Sequence, residues 1–414
     1  MSAAAPTPAR RAPLMPLDDA VAALLAQAAP LPTERLDTFD ADRRVLARPV
    51  VSPLRVPARD NSAMDGYALR CADAVSGQAL PVSQRIPAGS VGSPLAAGTA
   101  ARIFTGAPVP PGADAVVMQE DCEAQDDGAA VRVRSFPRPG QWIRRAGEDV
   151  ELGATVLSAG RRLDPAALGL AAGVGCAQLE VSRAPRVALF STGDELVMPG
   201  TVPPEALPPG AIYNANRYFL RTLLTRLGCQ VDDLGIVPDR RDATIEALRS
   251  AASRNDVVLT SGGVSVGEED HVKPAVQALG RLDLWQIAMK PGKPFAHGRV
   301  GDAHFIGLPG NPVSSFVTFL LLVRPFILRL QGMADVTPWV LDMPAGFDWP
   351  QPDRRREFLR VRRGEDGSLA VFPNQGSGVL TSMVWGDGLV DVPAGQVIAR
   401  GDRVRYLPLD ALLS

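Results

Sequence analysis

The stretch from residue 256 to 312 limits the fold of this chain more than any other. It reads DVVLTSGGVSVGEEDHVKPAV, then WQIAMKPGKPFAHG, then HFIGLPGNP. The short apolar run 256–261 has the composition of a buried parallel strand, and it halts at Ser261-Gly262-Gly263. In an open α/β sheet, ligands bind beyond the carboxyl ends of the strands. Two adjacent glycines let backbone N–H groups approach an anion with no Cβ in the way. Ser265 adds a hydroxyl, and Glu268, Glu269 and Asp270 add carboxylates of the kind that hold a hard metal ion. Further on, Gly307-Leu308-Pro309-Gly310-Asn311-Pro312 leaves a second strand. Asn311 is placed to cap a helix and Pro312 to occupy its first position, which makes the tip a helix N-terminus that favours anions.

The same stretch holds every lysine. Lys and Arg total 43, but the only lysines are Lys273, Lys290 and Lys293. All three histidines (His271, His297, His304) fall here too. A lysine kept in an arginine-preferring chain points to a place where a wide planar guanidinium does not replace a compact ammonium. Chance clustering is the competing account, and it weighs most for Lys273 and the histidines.

At 414 residues the chain has room for two to four domains, taking about 100–200 residues per domain. Hydrophobic residues at 46% and charged residues at 21% fit a soluble globular protein. A net charge of −2 provides no bulk field for nucleic acid or an anionic membrane, so neither is expected as a partner. Arg354-Arg355-Arg356 is a local basic run. Cys71, Cys122, Cys176 and Cys229 are scattered without CxxC or Cys/His spacing, which argues against zinc and for thiols in a reducing cytoplasm. The first fifteen residues lack an apolar signal core. The apolar run 320–330 is interrupted by Arg324, Pro325 and Arg329, and is expected to be a core helix rather than a membrane span.

In chain order, residues 1–13 read as a disordered tail, and 17–29 as an amphipathic helix. The loop 57–68 (PARDNSAMDGYA) carries two carboxylates, an Asn, a Ser and a Tyr where a generic hairpin needs only a turn pair. Ligand or metal chemistry explains it; an Asx-turn with a structural tyrosine is the plainer alternative. Residues 81–133 carry short β-like runs, and Thr105 sits at the tip of one. In 163–174, Gly169 and Gly173 are spaced for close helix packing. Neither GxGxxG nor a Walker loop occurs. From Pro185 strands and helices alternate, which predicts a mostly parallel sheet covered by helices. Its strand ends offer Thr192 and Glu195, Asp239, and Ser261 with Asp270. After Gly332 the pattern returns to short strands with Gly and Pro turns, predicting a small barrel.

Taken together, DNSAMDGYA, FTGAPVPPGADAVV, RRAGED, STGDEL, SGGVSVGEEDHVKP, MKPGKPFAHG, GLPGNPVSS and QGSGVLTSM resemble the MoeA family of molybdopterin molybdenumtransferases, which includes the E domain of gephyrin. The motifs run in order from about Leu17 to the end. One departure is Val384-Trp385-Gly386-Asp387-Gly388, where the family usually has a small residue and then Ala in place of Trp385-Gly386.

The resemblance implies an α/β and β multidomain fold. Its parts are a discontinuous N-terminal dimerisation domain (14–50 and 143–184), a small β domain (51–142), a central molybdopterin-binding α/β domain (185–332) and a C-terminal β-barrel (333–414). It also implies a homodimer whose cleft lies between the α/β domain of one subunit and the small β domain of the other. The implied reaction takes adenylylated molybdopterin and molybdate, cleaves the phosphoanhydride with Mg²⁺, places molybdenum on the dithiolene and releases AMP. A molybdopterin adenylyltransferase upstream is the implied partner.

Carried over motif by motif, Asp60, Asp239 and Asp270 are the catalytic carboxylates, and Asp270 with Glu195 the metal ligands. Thr105, Glu195, Gly262, Gly263, Ser265, Lys290, Lys293, Pro309, Pro312, Arg356 and Ser377 line the nucleotide, pterin and molybdate sites. The division of labour among the carboxylates stays open, as does molybdate against tungstate. Adenylyl transfer to molybdopterin and a gephyrin-like scaffold are the alternatives. The chain's length and flanking β domains argue against the first, and its full set of acids and lysines against a scaffold alone.

Overall fold

The computed structural model of the protein describes residues 14–75, 77–263 and 271–413, so the tail 1–13 lies outside the described residues. Helix α1 (Leu17–Leu25) buries Leu17, Ala20 and Leu24 along one stripe. That stripe does not stay with the N-terminal residues that follow it. It packs in the core of the central sheet with Val187, Leu220 and Phe326. Backbone bonds from Met15 N–H to Gln286 O (2.8 Å) and from Ala288 N–H to Met15 O (2.7 Å) fasten it there. Helix α1 therefore packs on the central sheet. Beyond α1 the segments 14–50 and 143–184 do meet: Thr33–Asp37 pairs antiparallel with Gln178–Ser182, and Val50–Val51 with Thr155–Leu157, around Leu46, Leu157, Leu163 and Val181.

A six-stranded sheet follows, built from β1 (Gly66–Leu69), β2 (Ala79–Ile86), β3 (Ala100–Ile103), β4 (Ala115–Met118), β5 (Cys122–Gln125) and β6 (Ala130–Val133). Its order is β4-β1-β3-β2-β6-β5. Side chains alternate across it. Tyr67, Leu69 and Val117 pack on one face, Ala68, Ile103 and Val116 on the other. Helix α2 (Pro165–Gly173) begins at Asp164, whose carboxylate accepts the Ala167 N–H at 2.7 Å. A Cβ at Gly169 or Gly173 would meet no atom within 4 Å, so the close packing expected at these glycines is not made within the described chain.

The central region alternates β7 (Arg186–Thr192), α3 (Ala215–Arg226), β8 (Gln230–Val237), α4 (Arg241–Ala252), β9 (Val257–Ser261), α5 (Val272–Leu279), β10 (Gly280–Gln286), β11 (Pro294–Val300) and β12 (Ala303–Leu308). The sheet order is β8-β7-β9-β12-β11-β10. The first four strands are parallel, and the last two are antiparallel. Both faces are covered. Val187 and Leu189 enter one core, Ala188 and Phe190 the other, as continuous apolar strands require. Helix α6 (Pro312–Thr318), a π turn (Phe319–Val323) and α7 (Arg324–Leu330) form one span that is 83% buried, the core helix expected there.

The C-terminal strands are β13 (Leu341–Pro344), β14 (Arg356–Arg363), β15 (Leu369–Val371), β16 (Gly388–Val392) and β17 (Arg403–Pro408). The short strand Met289–Lys290, between β10 and β11, crosses over to join them and pairs parallel with β14. The order runs β14-β16-β17-β13, and β15 lies on the other side of β14. A bridge between Ala345 and Leu369, with Gly346 N–H donating to Leu369 O at 2.8 Å, links the β13 end back to β15.

Candidate active site

The double glycine ends β9 as the sequence predicts, and only glycine fits. Gly262 has φ +93° and Gly263 φ +66°, the left-handed region. A Cβ on Gly262 would lie 3.2 Å from Thr192 O, and one on Gly263 2.5 Å from Val272 Cγ2. Gly262 N–H donates to Leu308 O at 3.0 Å. The turn is thereby wedged between the ends of β7 and β12 and the start of α5. Ser265, Glu268, Glu269 and Asp270, with the catalytic and metal roles expected of Asp270, lie outside the described residues.

The neighbouring strand ends bring two more expected residues to this edge. Thr192 closes β7 and is paired in register with Val237 of β8. Glu195 follows as an exposed carboxylate, and Asp239, half-buried, follows β8. On the other side, Pro309 is buried and Pro312 opens α6. Asn216, in the first turn of α3 and 9% exposed, ties two loops together. Its amide donates to Gly310 O at 2.7 Å and to Ser261 Oγ at 3.2 Å. Asn214 caps α3 through the Arg217 N–H.

Asn311 departs from its expected role. Its side chain does not cap α6; its amide donates to Ser377 Oγ at 3.1 Å. Val313 N–H donates to Ser377 O at 2.9 Å. With no N–H on Pro312 and that of Val313 engaged, the helix end offers an anion less than the sequence promised. What forms instead is a junction between the central domain and the 374–378 turn. Arg360, fully buried, holds that turn. Its backbone N–H donates to Gln375 Oε1 (2.9 Å), and its guanidinium to Gly376 O (3.2 Å) and Ser382 Oγ (3.1 Å). Burial pulls its pKa down to about 10. Trp385, at the departure from the family pattern, packs on Phe372 (ring centroids 5.3 Å apart) beneath Arg362, at the foot of the turn.

The two lysines of MKPGKP have different surroundings. Gly292 (φ +111°) presses the loop onto α6, where a Cβ would overlap Thr318 Oγ1. Lys290 Nζ lies 2.8 Å from Glu357 and 3.4 Å from Asp353. Burial lowers its pKa, but the two carboxylates outweigh this and raise it. Lys290 is thus an ion-paired ammonium. Lys293 is partly buried and has no ion-pair partner among the described residues.

Arg356 is also ion-paired. Its guanidinium is clamped by Asp391 at 2.6 and 2.7 Å and by Asp18 at 2.8 Å, and the Asp391 pair raises its pKa far above the ordinary value. Successive strand residues face opposite ways. Glu357 turns toward Lys290, while Arg356 turns toward α1 and a cavity of about 360 Å³ away from the Ser377 junction.

Asp60 and Thr105 form a separate group. Asp60 accepts from Ala146 N–H (2.8 Å) and Arg145 Nη1 (2.6 Å), and these bonds hold its pKa below the ordinary carboxylate value. Thr105 donates from both N–H and Oγ1 to Asp65 at 2.8 Å, which lowers the Asp65 pKa. Arg145, Glu357 and Arg360 hold candidate site residues in place and were not singled out from the sequence, although Arg145 lies inside a quoted motif.

Three family profiles match this architecture in order. They are the MoeA N-terminal region (domain I and II) at residues 15–175, a probable molybdopterin binding domain at 188–329, and the MoeA C-terminal region (domain IV) at 342–409. The fold and the strand-edge site therefore define a multidomain protein built around a molybdopterin-binding-type domain. A Haemophilus influenzae protein named molybdopterin molybdenumtransferase is 44% identical over 321 residues, 77% of this chain and 78% of its own. A Nostoc protein of the same name is 40% identical over 393 residues, covering 91% and 89%. The molybdopterin biosynthesis MoeA protein of Pyrococcus horikoshii OT3 superposes with a TM-score of 0.83 at 28% identity, over 96% of this chain and 100% of that one. The chain belongs to the MoeA family.

Proposed function

We propose that this enzyme acts in molybdenum cofactor biosynthesis, inserting molybdenum from molybdate into adenylylated molybdopterin with phosphoanhydride cleavage and release of AMP. The observation that carries the reading is Lys293. It is an ammonium without an ion-pair partner among the described residues, held on a stiff loop against α6. A compact cation in that setting suits a small tetrahedral oxyanion. The Gly262-Gly263 turn lets phosphate oxygens approach the backbone, and Asn216 fixes the Pro309–Pro312 loop opposite. The names of the relatives support the same chemistry.

Among the described residues no three acids, histidines or cysteines gather as a ready-made metal cage. Glu195 and Asp239, on adjoining strand ends, offer the oxygen donors magnesium prefers. Glu195, with Asp270 outside the described residues, would hold Mg²⁺ together with substrate phosphates, and bound there it would neutralise charge developing on the phosphoanhydride.

The reading includes a homodimer, with Asp60 and Thr105 completing the partner subunit's site. The contacts of both residues close within the small β domain and its flanking loop. Phe39 is 92% exposed beside a groove of about 700 Å³ along α2, where Gly169 leaves room for a second copy. The reading also includes a supplying adenylyltransferase, a cytoplasmic site for the four free thiols, and domain breaks near 50, 142, 184 and 332.

Purified protein incubated with adenylylated molybdopterin, with and without molybdate, tests the reaction. AMP together with active cofactor only when molybdate is present supports it; no AMP in either case refutes it. Mixing Asp60→Ala with Lys293→Ala subunits tests the shared site, since one composite site in each mixed dimer is intact. Mixed dimers without activity would break the dimer part alone.

A further inference from the structure

The small sheet sets two arginines side by side. On the parallel strands β2 and β3, Arg85 is paired in register with Arg102, and Tyr67 of β1 faces Arg102 from the other side. Phe104 lies two residues beyond Arg102 and so shares its face. The Arg85 and Arg102 guanidinium carbons each lie 4.6 Å from the Phe104 ring centroid, and that of Arg102 lies 5.1 Å from the Tyr67 ring.

Like charges opposite each other on neighbouring strands destabilise a sheet. Surface arginines usually relieve this with a carboxylate, but among the described residues neither Arg85 nor Arg102 has one within ion-pair distance. Arg102 is held by neutral acceptors, Gly66 O at 2.9 Å and Gln119 Oε1 at 2.6 Å. Asp65 is engaged by Thr105. Arg85 is exposed, with its guanidinium carbon over the Phe104 ring. Arg102 feels the Asp65 charge, whereas Arg85 has no ion pair among the described residues, and Phe104 directly precedes Thr105.

A guanidinium flattened on one ring keeps a face for a second ring, and its edge N–H groups suit phosphate oxygens. We propose that the Arg85–Phe104–Arg102 stack is a subsite for a flat heteroaromatic ring carrying a phosphate. This rests on the molybdenumtransferase reading, in which the substrate has two such halves, the adenylyl and the pterin.

Calorimetric titration of the full-length protein with AMP, a pterin monophosphate and inorganic phosphate separates the possibilities. Arg85→Ala and Phe104→Leu should each weaken one ring phosphate roughly tenfold. Arg85→Lys should restore inorganic phosphate binding but not ring binding, because it keeps charge and loses the plane. Selective loss of AMP assigns the platform to the adenylyl half, and selective loss of the pterin phosphate assigns it to the pterin half. Wild-type protein that binds neither, or variants that bind both as wild type does, overturn the proposal. Molybdate-dependent AMP release by the wild type is read separately. If it is present while the variants bind normally, only the platform falls. If it is absent while the variants still lose ring binding, the platform stands and the reaction falls.

Discussion

The two halves of the candidate site hold their residues in opposite ways. At the central sheet edge, polar groups are buried and locked: Asn216 between two loops, Arg360 under the Ser377 turn, Gly263 against Val272. In the small sheet, Asp60, Thr105 and Arg85 sit at the surface and are held by short local bonds or a single ring. The locked half is built to resist change, and the open half leaves its polar groups accessible. Substitutions should therefore damage the first through folding and the second through binding.

The largest contrast is expected between two glycines. Gly263 and Gly106 both have positive φ, +66° and +82°. A side chain at Gly263 meets Val272, whereas one at Gly106 meets nothing within 4 Å. Gly263→Val should cost about 3 kcal/mol or more and abolish AMP release, while Gly106→Val should cost about 1–2 kcal/mol of backbone strain. Urea unfolding of both decides it, and equal losses would erase the distinction.

The next contrast lies within the locked half. Lys290→Ala removes the ion-pair partner of the buried Glu357 carboxylate and leaves it only the Trp349 Nε1–H bond. Losing one partner of a buried pair costs about 3–5 kcal/mol, and the partial exposure of Lys290 brings this to roughly 2 kcal/mol. Lys293→Ala should leave the melting temperature unchanged and raise the molybdate half-saturation point roughly ten- to a hundredfold. A wild-type half-saturation point would take Lys293 out of the anion site.

Acid should separate the halves more gently. His297 and His304 are buried in the central sheet, 3.3 Å apart, beside Trp285 and Phe326. Burial lowers their pKa values from 6.5 to about 4 and about 3. The unfolded chain therefore takes up protons first. Stability from the neutral pair is complete above pH 6.5 and is lost as pH falls toward 4 and then 3. Asp60 and Asp65 beside the small sheet are held below 3.8 by their hydrogen bonds, so they stay ionised through that window. Trp285 fluorescence should report weakening of the central sheet between pH 6.5 and 4. His297→Phe should flatten the slope; an unchanged slope would dismiss the pair.

The smallest stability effect belongs to Asp60→Asn. Its pair with Arg145 is largely exposed, so the loss should stay within about 0.5 kcal/mol. AMP release should still fall if Asp60 completes the partner subunit's site as proposed. Normal release would leave Asp60 a loop anchor and nothing more.

Much of the site was legible in the sequence because it rests on local rules. The double glycine after an apolar run and Pro312 at the first helical position follow from backbone sterics and unpaired N–H groups. They need no knowledge of what lies across the chain. The alternation of strand and helix from Pro185 likewise specified a parallel sheet and its ligand edge. What the sequence did not reveal were partners distant along the chain. Lys290 finds Glu357, Arg356 finds Asp18 and Asp391, and Asn311 finds Ser377.

The sequence by itself determined which residues could do chemistry and which strand ends would carry them, because strand period, glycine tolerance and capping act within a few residues. Only the tertiary structure decided which of those charges stay available. Crossing Met289–Lys290 onto β14 in one register turns Glu357 toward Lys290 and Arg356 away from it. A shift of one residue would have exchanged them, since neighbours on a strand face opposite sides and nothing local distinguishes the two registers.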